Sequence, residues 1–163
     1  MPNKIRFRNL FEEDLKSVFA IYSDKEAMKF RGSQPIETLD DAKQFIANQK
    51  HKKGSVLTVR KGVELIQEQK LIGSVMLRYD HNFQHDCEIG YSIGRAFWGN
   101  GLGKEIVKEL IILTKQDPNT ENIKAWTNKN NIASIKVLES NDFQRCEQNR
   151  DSENYLYQKT NSD

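Results

Sequence analysis

Gly99, Gly101 and Gly103 fall within five positions, at the junction of two segments with different periodicities. Before them, Cys87, Ile89, Tyr91 and Ile93 alternate with Glu88, Gly90 and Ser92, a period of two that predicts a strand with the first set on its apolar face. After them, Leu102, Ile106, Leu110 and Leu113, with Val107 and Ile111 beside them, repeat at helical spacing. A strand, a glycine-rich turn and a helix together build an anion site from backbone. Glycine permits close approach and positive φ. The unpaired N–H groups of the first helical turn, aided by the helix dipole, then face a phosphate. Two familiar phosphate loops do not fit. In a P-loop, Gly-x-x-x-x-Gly-Lys-Ser/Thr, Trp98 would stand at the first glycine and Glu105 at the hydroxyl residue. A dinucleotide fingerprint, Gly-x-Gly-x-x-Gly, counted from Gly99 ends on Lys104.

What remains, Gly99-Asn100-Gly101-Leu102-Gly103, resembles the acyl-CoA pyrophosphate loop of the GNAT acetyltransferase superfamily, whose usual pattern is Gln/Arg-x-x-Gly-x-Gly/Ala. Trp98 departs from the first place of that pattern; its Trp-Gly-x-Gly form resembles the branch that holds the ribosomal-protein N-terminal acetyltransferases. A second stretch, Asn131-Ile132-Ala133-Ser134 followed by Leu138-Glu139-Ser140-Asn141-Asp142-Phe143, resembles the family's Asn-x-x-Ala/Ser…Tyr-Glu-Lys-x-Gly-Phe motif. Two motifs in the required order are far more specific than either alone. The resemblance implies acetyl-CoA as cosubstrate. It places Tyr91, Ser92 and Ile93, the loop residues Trp98, Gly99, Asn100, Gly101, Leu102, Gly103 and Lys104, and Asn131 and Ser134 in contact with it. Asn131 is expected at the pantetheine portion and Ser134 near the sulfur. The competing reading is that Asn131 only caps a helix.

Acetyl transfer to an amine has simple demands. The amine must be neutral when it attacks the thioester, so a base must take its proton, directly or through water. Donors must stabilise the charge that develops on the carbonyl oxygen. Glu88, on the polar face of its strand beside Gly90, is the expected base; otherwise it is a surface carboxylate in a cross-strand pair. Glu153 is a second candidate. By resemblance, the backbone N–H near Ile93 is the oxyanion donor. Leu138 stands where many family members carry a Tyr that protonates the departing thiolate, which leaves Ser134 or a water to supply that proton, with Ser134 the candidate acid.

These residues need a frame. Strands are expected over 4–8, 56–60, 71–79, 87–93, 123–127, 143–146 and 154–158, from alternation and turn signals. Helices are expected around Leu15–Tyr22, after Thr38 until Gly54, over the segment after Gly101, and after Asn131. His51 in the KHKK run then falls at a helix end, where cations suit the dipole. Gly73 inside a strand predicts a bulge or close approach by another backbone. The fold class is α+β: a mostly antiparallel sheet of six to seven strands flanked by about four helices, in one domain over 1–163. The resemblance adds that the strand ending near Ile93 splays from its neighbour and admits the pantetheine arm.

With 25 basic and 23 acidic residues the net charge is +2, which argues against a dedicated nucleic-acid binder. No apolar run approaches the roughly 20 residues of a membrane span, and MPNKIRFRNL lacks the apolar core of a secretion signal. A cytoplasmic protein, monomer or homodimer, is expected. Cys87 and Cys146 make neither a disulfide framework nor a metal site, and His81, His85 and Cys87 match no zinc spacing, so no metal is expected. The acceptor is expected to be a primary amine, a protein N-terminus or a small molecule. The acceptor-side segments 24–37 and 80–86 mix both charges and select no class. The alternative is an acyl-CoA-binding regulatory module that has lost catalysis, motivated by Leu138.

Overall fold

The computed structural model describes residues 2–83, 85–149 and 151–162. Eight strands form one sheet: β1 (Ile5–Arg8), β2 (Lys50–Lys53), β3 (Val56–Leu65), β4 (Lys70–Asp80), β5 (Asp86–Ile93), β6 (Asn122–Asn128), β7 (Gln144–Asn149) and β8 (Asn154–Thr160). Their order is β1-β3-β4-β5-β6-β8-β7, with β2 paired to β3. Every pairing is antiparallel except β5 with β6. Four helices, α1 (Leu15–Tyr22), α2 (Leu39–Ala47), α3 (Leu102–Thr114) and α4 (Ile132–Glu139), cover its two faces.

Periodicity decides which face each element covers. Ile106, Val107 and Leu110 of α3 are fully buried with Cys87 and Ile89 of β5 and Ile123 of β6, and Leu138 brings α4 to the same core. On the other face, Val18, Ile21 and Tyr22 of α1 pack with Ala42 of α2 and Leu71. The Thr38 hydroxyl accepts from the Asp41 N–H and the Asp41 carboxylate accepts from the Thr38 N–H, a reciprocal cap that starts α2 as its sequence predicts.

One expected boundary is wrong. The second helix ends at Ala47, well before Gly54, and Lys50–Lys53 form the additional strand β2 against Val56–Val59. Gly54, at φ +60°, serves the hairpin turn, so His51 stands in a strand and not at a helix end. The KHKK run is fully exposed, as an edge strand with lysines tolerates, and so it lacks the apolar alternation that signals a strand. β3 runs past the expected end at Arg60 to Leu65 before the turn.

Gly73 meets both expectations. Register shifts by one residue opposite it, between Val63 and Glu64. A Cβ at Gly73 would stand 2.1 Å from the Ser92 carbonyl oxygen, so only glycine lets β4 and β5 close here.

Candidate active site

The ladder between β5 and β6 runs only from Asp86↔Asn122 to Ile89↔Ala125, although both strands continue. Beyond Ile89 a gap opens in the sheet. Which groups face it follows from the pairing with β4. Ile93 stands opposite Gly73, and the Gly94 N–H donates to the Ile72 carbonyl at 2.8 Å. That makes Ile93–Gly73 a wide, non-hydrogen-bonded pair, so the N–H and C=O of Ile93, and by alternation of Tyr91, point away from β4 and towards the gap. The Trp98 indole N–H takes the Ile93 carbonyl at 2.9 Å. The Ile93 N–H is left facing the gap.

The glycine turn lies directly after this strand. Gly99 and Gly101 have φ of +77° and +73°, with nothing within 4 Å of an added Cβ: they are required by conformation, not by space. Gly103 has the opposite reason, since its Cβ would meet the Val137 side chain at 3.1 Å where α3 crosses α4. Asn100 bonds the Phe97 and Trp98 carbonyls at 3.3 Å and fixes the turn. Gly101 is the N-cap of α3, and no side chain caps that end, so the N–H groups of Leu102, Gly103 and Lys104 remain available to an anion.

On the α4 side of the gap, the Asn131 side-chain oxygen accepts from the Ser134 N–H at 3.2 Å, the capping role foreseen as the plain alternative. The Ser134 hydroxyl reaches the Tyr91 hydroxyl at 3.0 Å. Burial pushes the Tyr91 phenol up to about 12 despite that bond. Leu138, at the position where the resemblance leads one to expect a Tyr, is 1% exposed and belongs to the core. Cys87 is likewise core, its thiol pushed up to about 12 by burial. Among the described residues no group of His, Cys, Asp and Glu is placed to hold a metal ion.

Glu88 and Ser92 project from the opposite sheet face. Glu88 pairs with Arg78, its direct cross-strand partner, at 3.7 Å. Beside it, the room that Gly90 leaves is taken by the Met76 methyl, 3.3 Å from where a Gly90 Cβ would be. Glu88 stands opposite Lys124 in the closed part of the ladder, one pair below the gap. The Ser92 hydroxyl meets the Tyr22 hydroxyl at 3.0 Å, and Tyr22 also bonds Ser74. Glu153 pairs with Lys129 at 3.3 Å beyond the end of β6.

Sequence reasoning missed an aromatic and cationic cluster on this second face. The Tyr22 and Phe45 rings lie 4.5 Å apart, with the Arg31 guanidinium 4.5 Å from the Tyr22 centroid and the Arg60 guanidinium 4.3 Å from that of Phe45. Arg60 shares its face of β3 with Thr58, but its convergence with Arg31, distant in sequence, appears only once α1 and α2 are in place. Gln84, within the second acceptor-side segment, lies outside the described residues.

Comparisons with known proteins agree with this geometry. The sequence model of the acetyltransferase (GNAT) domain matches residues 4–144. The uncharacterized N-acetyltransferase YoaA of Bacillus subtilis (strain 168) is 25% identical over 147 residues, 88% of this chain and 81% of that protein. The spermidine N-acetyltransferase of Vibrio cholerae, solved with CoA and spermine, superposes with a TM-score of 0.79 at 16% identity, over 98% of this chain and 97% of that one. RimL, a ribosomal L7/L12 α-N-protein acetyltransferase solved with CoA, gives 0.77 at 12% identity, over 98% and 95%. The family match spans residues 4–144, most of the chain: this chain belongs to the GNAT acetyltransferase family.

Proposed function

We propose that the chain transfers an acetyl group from acetyl-CoA to a primary amine by direct attack of the amine on the thioester. The observation that carries the reading is the open edge of β5. Tyr91 and Ile93 turn backbone groups into a gap that ends beside the glycine turn and an uncapped α3. An extended amide-bearing arm can pair with that edge as a strand would, with its pyrophosphate on the N–H groups of the α3 first turn. Trp98 to Lys104 would hold the phosphates, and Tyr91, Ile93 and Asn131 the arm. Ser92 contributes backbone to β4 and a hydroxyl to the Tyr22 side of the sheet. Bound there, acetyl-CoA supplies an activated acyl carbon.

The two faces divide the proton work. The Ile93 N–H stabilises charge on the carbonyl oxygen. Glu88 takes the proton that the amine gives up as its N–C bond forms. At about 3.4 Å per residue Glu88 lies roughly 10 Å from Tyr91 and 17 Å from Ile93 along the strand, so it works through water. On the α4 face the Ser134 hydroxyl, backed by Tyr91, protonates the sulfur as the C–S bond breaks.

Release of free CoA in the presence of a panel of amines tests the reading. Turnover with any of them supports it. Acetyl-CoA binding without turnover of any amine would favour the regulatory module, for which the buried Leu138 is the supporting feature.

A further inference from the structure

Most arginine side chains described in this molecule have a carboxylate. Arg6 and Arg8 share Glu64, Arg8 also holds Asp14, Arg78 faces Glu88 and Arg95 meets Asp24. Arg31 and Arg60 differ. Both are half-buried, and among the described residues neither is within ion-pair reach of an acid. Their partners are aromatic rings and, for Arg31, the Met28 sulfur at 3.5 Å. Both guanidiniums flank the Phe45 ring, at 5.6 and 4.3 Å from its centroid. Their charges repel, and burial holds both below the ordinary arginine range, whereas the paired Arg8 is held above it. Ring stacking offsets only part of the cost of desolvating two like charges side by side. An oxyanion between them would supply the rest, and the planar fork of arginine is shaped to take one.

The location gives this anion a purpose. Arg60 is in register with Met76 and Gly90, so its row leads across β4 to β5 at the mouth of the gap. Two strand spacings, about 9.6 Å, separate β3 from β5, and the arginine side chain spans part of that distance. Tyr22, stacked under Arg31, touches Ser92, the neighbour of Ile93. Glu88 projects from the same face. We infer that Arg31 and Arg60 form an oxyanion subsite of the acceptor pocket, and that the acceptor is a small amine bearing a carboxylate or phosphate, not a polycation. The inference rests on the acetyl-transfer reading for the position of the amine.

The test is ligand-induced thermal stabilisation of the CoA-loaded full chain, with β-alanine against β-alaninamide, O-phosphoethanolamine against ethanolamine, and spermidine. The expected result is at least tenfold tighter apparent binding for the charged member of one or both pairs, and the pair that responds tells carboxylate from phosphate. Arg31→Met and Arg60→Met should abolish that preference without lowering the unliganded Tm, because methionine retains the apolar stem over the rings and removes a desolvated charge. Arg60→Lys should restore part of it. Equal binding within both pairs, preferred binding of spermidine, or a preference that survives both Met variants would overturn the inference. Stabilisation by acetyl-CoA, measured in the same series, reports separately on the acetyl-transfer reading.

Discussion

Tyr91 on β5 and Ser134 on α4 hold their hydroxyls 3.0 Å apart at the edge of the gap between β5 and β6. The bond couples the strand proposed to line the arm of the cosubstrate to the helix proposed to face its sulfur. Ser134→Ala should lower kcat by about a hundredfold, with little change in acetyl-CoA affinity, and Tyr91→Phe should have a smaller effect of the same sign. Stopped-flow CoA release under saturating substrates measures both. Unchanged rates in both variants would remove the pair from the mechanism.

Glu88→Gln should reduce kcat by about a hundredfold, the size of a lost general base, and leave acetyl-CoA affinity nearly unchanged. Arg78→Ala serves as the control, because it breaks the cross-strand pair while sparing the carboxylate. If Glu88 serves only that pair, the two variants lose stability alike and kcat stays at the wild-type value.

The turn makes a sharper steric prediction. Gly101→Trp places an indole on a backbone at φ +73°, directly before the first turn of α3, and should abolish acetyl-CoA binding in calorimetry. Gly103→Ala, where the conflict is with the movable Val137 side chain, should bind nearly as wild type. Retained binding by the Trp variant would mean that the phosphates sit elsewhere.

Alkaline stability follows from groups buried in their protonated form. Burial raises the Cys87 thiol from 9.0 and the Tyr91 phenol from 10.0, each to about 12, and also raises Tyr79. An acid whose folded pKa lies above its unfolded value stabilises fully below the unfolded pKa and loses that contribution as pH rises towards the folded one. Tm should therefore fall steadily between about pH 9 and 12, and Tyr91→Phe should flatten part of the fall. A Tm independent of pH across that range would contradict the burial of these groups.

The Arg8 network is the corresponding acid-side device. Burial alone would raise Glu64 and Asp14, but hydrogen bonds from Arg8, and from Arg6 to Glu64, outweigh it and hold both below the usual range. Arg8→Ala would leave two carboxylates at the sheet edge short of their cation, and should cost about 3 kcal/mol in urea unfolding at neutral pH. The loss should shrink as pH falls and the carboxylates take up protons.

Local pattern and tertiary convergence were unequally legible in the sequence. Cys87 to Ile93 alternates because one face of β5 is buried, and Thr38 with Asp41 marks a helix start, so these elements were readable residue by residue. The glycine turn was readable because positive φ at Gly99 and Gly101 demands a particular residue type. β2 was not, since KHKK buries neither face and its pairing depends wholly on β3. The pairing of Tyr91 with Ser134 crosses 43 residues, and Arg31 meets Arg60 only through the packing of Tyr22 and Phe45. No periodicity encodes either contact.

Whether the gap beside Ile93 and the glycine turn accept acetyl-CoA is decided by thermal unfolding of the purified chain with and without saturating acetyl-CoA. A ligand at about 100 times its Kd adds roughly 2.7 kcal/mol of stability, a shift that is easily resolved. Tm should rise clearly with acetyl-CoA, and the rise should be lost in Gly101→Trp. No rise at millimolar acetyl-CoA would contradict binding there and leave the glycine turn as a structural feature alone.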